Sequence, residues 1–109
     1  MCGRFTSTVT TDELERRFGV TILQNLRPRW NIAPSQYSMV IVRDGLHLQA
    51  KTAAWGLPPT GPNKSFLVNA RMETVQEKPT FRDAFSLSRC IVVASGWYEW
   101  SAPKTPWHI

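Results

Sequence analysis

The sequence predicts an α+β fold built from several short strands and two short helices. Of its 109 residues, 42% are apolar and 19% are charged, and five tryptophans and eight prolines are present. This composition is typical of an ordered, loop-rich domain. Residues 10–18 carry the capping signals of a helix, and residues 37–55 carry those of a β-hairpin. We expect a single domain, because a chain of this length forms one modest core.

The first elements are a short N-terminal strand and a helix from Thr10 to Phe18. Thr10 can cap this helix, and Glu13 stands at the reciprocal position of a capping box. Gly19 is suited to end the helix, because glycine readily adopts the left-handed conformation. Residues 21–36 follow as a connection that two prolines stiffen.

The clearest element is the hairpin. We predict a strand from Tyr37 to Val42, a turn at Asp44-Gly45 and a returning strand from Leu46 to Trp55, since Asp-Gly between two strand-like runs is a strong hairpin signal. Three prolines and two glycines then mark Gly56 to Ser65 as a turn-rich loop.

The second half is predicted to contain one helix and four short strands. Phe66 to Val68 should form a short buried strand, and Thr80 to Leu87 a helix. Cys90 to Ala94 is a continuous apolar run, which is typical of a strand buried on both faces. Trp97 to Trp100 continues as a strand after a glycine, and a last strand begins at Pro106.

Charge, cysteine and histidine content limit the possible functions. Thirteen Lys and Arg against eight Asp and Glu give a net charge of +5, and nine of the thirteen are Arg, whose planar fork suits phosphate. An anionic partner or an ordinary basic surface explains this charge. Cys2 and Cys90 form no disulfide framework or zinc spacing, and His47 and His108 are expected at the surface or in packing, so we expect no metal or cofactor. With no secretory signal or membrane span recognised, we expect a soluble protein in the cytoplasm, associated with the nucleoid, or in the nucleus.

Cys2 directly follows the initiator Met1. A cysteine is small enough for that methionine to be removed, which would leave a thiol and a free α-amine on one residue. At neutral pH a useful fraction of each group is nucleophilic. With an aldehyde, the amine forms an imine and the thiol closes a five-membered thiazolidine ring. The alternative is an ordinary cysteine in a strand.

Polar side chains at strand ends offer further chemistry. Strand alternation puts Glu99 on the face of Trp97, where a poorly solvated carboxylate suits acid–base work. Asn69 and Arg71 share a face in the same way and suit a sugar oxygen next to a phosphate. Arg4 can hold a phosphate near Cys2. The alternatives are an exposed strand-edge Glu, a turn-forming Asn and solvated Arg side chains.

Six segments together carry a resemblance to a known family, in its order and spacing: Met1 to Phe5, Trp30 to Pro34, Trp55-Gly56, Asn69 to Thr74, Phe81 to Phe85, and Arg89 to Trp100. They resemble the SOS-response-associated peptidase (SRAP) family, an abasic-site-sensing domain. The resemblance implies a mixed, barrel-like β-sheet core with short flanking helices. It also implies that residues 1–109 form the N-terminal portion of a domain whose second half supplies a catalytic His. His108 does not match that His, and the loop from Leu57 to Lys64 has fewer aromatics than the family's DNA wedge.

The resemblance further implies that Cys2, once Met1 is removed, bonds to the aldehyde of an abasic site in single-stranded DNA and forms a thiazolidine crosslink. Asn69 matches the residue that orients the opened sugar, and Glu99 matches the one that handles protons. The DNA-binding positions of the family match Gly3, Arg4, Asn31, Pro34 and Arg71. A monomer is expected.

Two other functions remain open. An N-terminal-nucleophile peptidase would use the Cys2 thiolate against an amide, but it needs an oxyanion hole and a base, and no His is placed for that second role. A DNA-binding remnant without catalysis would keep only the basic surface.

Overall fold

The computed structural model describes residues 2–59, 62 and 65–109. In chain order its strands and helices are β1 (Arg4–Ser7), α1 (Thr11–Phe18), β2 (Arg29–Ile32), β3 (Tyr37–Asp44), β4 (His47–Ala54), α2 (Pro79–Leu87), β5 (Cys90–Val92), β6 (Gly96–Ala102) and β7 (Thr105–His108). The strands form a four-stranded sheet in the order β2-β1-β6-β7 and a three-stranded sheet in the order β4-β3-β5. All of these pairings are antiparallel. The α+β prediction is confirmed, and over the described residues the sheets are not closed into a barrel.

Helix α1 forms as predicted, with both halves of the capping box made. The backbone N–H of Glu13 donates to the Thr10 hydroxyl at 3.3 Å, and the Thr10 N–H donates to the Glu13 carboxylate at 2.8 Å. That bond from the Thr10 backbone is the main cause that holds the pKa of Glu13 below its ordinary value. Gly19 ends the helix with a φ of 63°. The start and end of α1 are therefore set by local interactions.

The hairpin is also confirmed, with its turn one residue later than predicted. β3 and β4 pair from Tyr37 opposite Ala54 to Asp44 opposite His47. The turn consequently consists of Gly45 and Leu46, and Gly45 has a φ of 60° that favours glycine. The hairpin buries one face of β3 in the main core, which contains Leu14, Val20, Met39, Ile41 and Val93.

Two predictions about the middle of the chain are wrong. Residues 21–36 are more than a connection, because Arg29–Ile32 form β2 at the edge of the four-stranded sheet. Phe66 to Val68 do not form a buried strand: Leu67 makes a single bridge to Leu57, and Leu67 is 39% exposed. In the loop predicted from Gly56 to Ser65, residues 60, 61, 63 and 64 lie outside the described part.

From α2 onward the chain follows the predicted element types but not the predicted burial. Helix α2 and strand β7 lie where they were expected, and Pro79 occupies the first turn of α2, where its missing N–H costs little. The prediction that Cys90 to Ala94 is buried on both faces is wrong. β5 pairs only with β3 and ends its sheet, which leaves Ile91 50% and Val92 51% exposed.

Candidate functional site

A pocket of about 580 Å³ is lined by residues of both sheets. Phe5 and Trp97 reach it from the four-stranded sheet, and Val40 and Val92 reach it from the three-stranded sheet. A larger concavity of about 780 Å³ lies between α1 and residues 91–94, and among the described residues it holds none of the predicted site residues. The smaller pocket is the candidate site because it contains Cys2.

Cys2 lines this pocket in a partly buried position just before β1. Its thiol donates to the Arg4 carbonyl at 3.4 Å, an ordinary distance for a hydrogen bond from sulfur. Met1 lies outside the described residues. Cys90, for which the sequence suggested no role, lines the same pocket from β5. The two thiols therefore offer a natural comparison in any test of thiol chemistry.

Asn69 lines the same pocket and is exposed. It lies in an irregular segment, so the strand alternation that was used to pair it with Arg71 does not apply. Arg71 is exposed and is not among the residues lining the pocket. The structure thus brings Asn69, but not Arg71, to the pocket of Cys2.

Trp55 connects the segment of Cys2 to the segment of Asn69. Its ring meets the Phe5 ring edge-on at 5.3 Å between centroids, and its indole N–H donates to the Val68 carbonyl at 3.1 Å. Phe5 is three residues after Cys2, and Val68 directly precedes Asn69. The sequence marked Trp55 only as part of a family motif, because nothing local reveals that its two ends contact distant segments.

Glu99 is partly buried on β6. Trp97 of β6 pairs with Phe5 of β1, and both residues line the pocket. Because side chains alternate along a strand, Glu99 lies on the same side of β6 as Trp97, which is the pocket side. Glu99 itself is outside the set of pocket-lining residues, and it pairs with Trp107 on β7. Trp97 and Glu99 both belong to β6, so the prediction that they share one face of a strand agrees with this element.

The remaining predicted DNA-binding residues lie around the start of β1 and the end of β2. The Arg4 guanidinium donates to the Asn31 side-chain oxygen at 2.8 Å. Gly3 lies between Cys2 and Arg4, and Pro34 follows β2 just before Ser35, which has a φ of 68°. Arg4 and Asn31 are therefore brought together, although they are 27 residues apart.

The hydroxyl of Thr6 is buried on the face of β1 opposite the pocket-lining Phe5, among several hydrogen-bonding groups. Thr6 is fully buried, donates to the Gly96 carbonyl at 3.3 Å, and lies 3.1 Å from the Ser95 hydroxyl and 3.0 Å from His108 Nε2. The Ser95 oxygen already accepts from the Thr8 backbone and hydroxyl. A hydroxyl has one hydrogen and two lone pairs, so Thr6 can hydrogen-bond with Gly96, Ser95 and His108 together.

The described residues contain no cluster of three His, Cys, Asp or Glu side chains suited to a metal ion. Within the same residues, no helix is long and apolar enough to cross a membrane.

Comparisons with known proteins agree on one family. The family model for SOS response associated peptidase (SRAP) matches residues 1–109. The chain is 37% identical over 114 residues to a Bacillus subtilis protein named Abasic site processing protein YoqW, covering 96% of this chain and 51% of that protein. It is 30% identical over 106 residues to the Escherichia coli protein named Abasic site processing protein YedK, covering 92% and 48%.

A crystal structure of a protein from Bordetella bronchiseptica has a similar fold, with a TM-score of 0.69 and 25% sequence identity. The match covers 90% of this chain and 50% of that chain. The chain thus spans about half the length of each of these three proteins.

Proposed function

Because this chain belongs to the SOS response associated peptidase (SRAP) family, we propose that it processes abasic sites in single-stranded DNA by forming a covalent bond through Cys2. The observation that carries the proposal is the pocket that Cys2 and Asn69 share. The relatives' names supply the substrate class, since several are named abasic site processing proteins.

The reaction begins once Met1 has been removed. The α-amine of Cys2 adds to the aldehyde carbon of the ring-opened sugar, and loss of one water leaves an imine. The thiol then adds to the same carbon, forming a carbon–sulfur bond while the imine nitrogen takes up a proton. The products are a thiazolidine and water. The second step is fast because the thiol is already attached to the reacting group.

Two side chains assist this chemistry. The Asn69 amide can donate and accept hydrogen bonds, so at the pocket wall it can orient the hydroxyls of the opened sugar. Glu99, on the pocket side of β6, delivers a proton to the departing oxygen during imine formation. Trp55 keeps the segments of Cys2 and Asn69 together through its contacts with Phe5 and Val68.

The DNA backbone is held by arginines. The net charge of +5 favours a polyanion, and the arginine fork binds phosphate oxygens in pairs. Arg4 begins β1 two residues after Cys2, where it can hold the phosphate next to the reacting sugar. Arg71 follows Asn69 in the same way and extends the contact along the strand.

A peptidase is the second candidate, favoured by the word peptidase in the family's description. Attack on an amide requires a base to take the thiol proton. In the described part of the chain neither His47 nor His108 lines the pocket of Cys2, and His108 Nε2 lies 3.0 Å from the buried Thr6 hydroxyl. The aldehyde reaction does not need that base, so it fits these residues better.

The proposal is tested by incubating the protein with a single-stranded oligonucleotide that contains one abasic site, followed by a denaturing gel. We expect a slow band that survives heating, that Cys2→Ala abolishes and that Cys90→Ala keeps. Cys90 is the matched control because it lines the same pocket. A band that survives in Cys2→Ala would contradict the proposal, and DNA binding without any band would favour a non-catalytic DNA-binding protein.

A further inference from the structure

Strand β2 contains an irregularity that changes where two of its side chains lie. Phe5 pairs with Ile32 and Ser7 pairs with Arg29, so Trp30 and Asn31 together face the single residue Thr6. This is the register of a β-bulge, a feature that re-aims side chains near functional sites. The burial of β2 agrees, because Trp30 and Asn31 are both exposed between a partly buried Arg29 and a buried Ile32.

The bulge places Trp30 directly before Asn31, the residue that binds the guanidinium of Arg4. Asn31, its neighbour, accepts the hydrogen bond from Arg4 at 2.8 Å. The phenol of Tyr98, which pairs with Arg4 across β1 and β6, donates to the Trp30 carbonyl at 2.9 Å. Three strands thus fix the backbone of the exposed Trp30 in the segment that binds Arg4.

Trp30 is 63% exposed. A single-ring or aliphatic residue at this position would expose less apolar surface to water. The bond from Tyr98 fixes the Trp30 backbone, so only the two side-chain torsions of the indole have to be ordered when a flat ligand stacks on it. Nucleobases are such ligands, and stacking on an aromatic side chain tolerates every base. The guanidinium supplies the phosphate contact that a single nucleotide also needs.

We propose that Trp30 and Arg4 form a binding subsite for one nucleotide of single-stranded DNA, with the base stacked on Trp30 and the phosphate on Arg4. The ligand class rests on the proposed function. Arg4 lies two residues from Cys2, about 7 Å along an extended chain. The subsite therefore serves a nucleotide next to the reacting sugar, at the end of β1 that leads to Cys2.

The first test measures binding of an undamaged oligothymidylate, in which no aldehyde is present, by fluorescence anisotropy at fixed salt. We expect Trp30→Ala to weaken binding about tenfold, which corresponds to about 1.4 kcal/mol and is typical of one lost base–aromatic stack. Trp30→Phe should keep most of the affinity. Trp107→Ala is the control, because Trp107 is similarly exposed at 61% but lies on β7 opposite Glu99.

The second test separates stacking from phosphate contact by using a strand of equal length in which every base is replaced by a base-free tetrahydrofuran spacer. The wild type should prefer the strand with bases, and Trp30→Ala should reduce that preference about tenfold. Arg4→Ala should weaken binding to both strands equally.

Three results would overturn the subsite. The first is an equal loss of affinity for both strands in Trp30→Ala, the second is the same affinity in Trp30→Ala and Trp107→Ala, and the third is a wild type that binds neither strand. These readouts need no crosslink. A protein that binds as expected but forms no heat-stable band would contradict the proposed function alone.

Discussion

Glu99 tests the mechanism at the scale of one residue. One positioned acid typically contributes about 10²–10⁴-fold in rate. Glu99→Gln keeps the size and most hydrogen bonds of the side chain but cannot transfer the proton. We expect crosslinking to slow by a factor in that range while DNA affinity stays unchanged, measured by quenched time courses between about pH 6 and 8. A variant that crosslinks at the wild-type rate would make Glu99 a structural residue.

Gly96 gives a second prediction, about stability. A Cβ at this position would lie 2.5 Å from the Ile109 carbonyl oxygen and 2.7 Å from His108 Nε2. The backbone oxygen cannot move without disturbing the pairing of β6 with the chain after β7, where Trp97 and Ile109 exchange hydrogen bonds. We expect Gly96→Ala to lower the free energy of unfolding by about 1–3 kcal/mol in urea titrations. Gly3→Ala is the control, because its Cβ would meet nothing within 4 Å, and equal stability of the two variants would contradict the prediction.

Local signals decide how well single elements can be predicted. Helix α1 and the hairpin can be predicted because each is defined by residues within or next to it. Thr10 and Glu13 cap the helix, Gly19 ends it, and Gly45 forms the hairpin turn. β2 was missed because its partner, β1, is more than 20 residues away and its own four residues alternate irregularly around the bulge. The exposure of β5 was missed because an apolar run does not reveal how many neighbours a strand has.

Helix α1 gives a prediction about pH. The pKa of Glu13 is lowered by hydrogen bonds from Thr10. The stability that the Glu13 charge gives to the folded state is therefore present above the ordinary pKa of 4.5 and is lost as the pH falls through the lower pKa of the folded state. Glu13→Gln keeps an acceptor but removes the charge. We expect the wild type to be more stable than this variant at pH 7 and the difference to shrink in acid, measured by urea titrations from pH 7 to 3. A difference that does not change with pH would show that the charge has no role in the cap.

The assembly of the site belongs to the scale of the whole molecule. The sequence identified Cys2, Asn69 and Glu99 through their chemistry and a family resemblance, whereas the pocket depends on contacts between distant segments. The contacts of Trp55 with Phe5 and Val68 and of Arg4 with Asn31 cross 13 to 50 residues of chain. Such contacts leave no periodic signal, so residue types could be predicted but their neighbours could not.

Arg71 tests the DNA path over the surface of the molecule. If Arg71 contacts a phosphate, Arg71→Ala should weaken binding in every sequence context and reduce the log–log salt slope by roughly one unit. Arg43→Ala serves as the control, because Arg43 is equally exposed but lies near the hairpin turn, whereas Arg71 comes two residues after the pocket-lining Asn69. A loss confined to one base context would instead mean that Arg71 reads a base.

The central claim is that the amine and the thiol of Cys2 capture one aldehyde carbon. Intact mass spectrometry of the protein–DNA adduct tests this claim most directly, followed by mapping of the modified peptide. We predict a mass equal to the chain without Met1 plus the oligonucleotide minus one water, located on the N-terminal peptide and unchanged by borohydride, which reduces an imine but not a thiazolidine. An adduct that retains Met1, maps to a lysine or gains two hydrogens with borohydride would contradict the account.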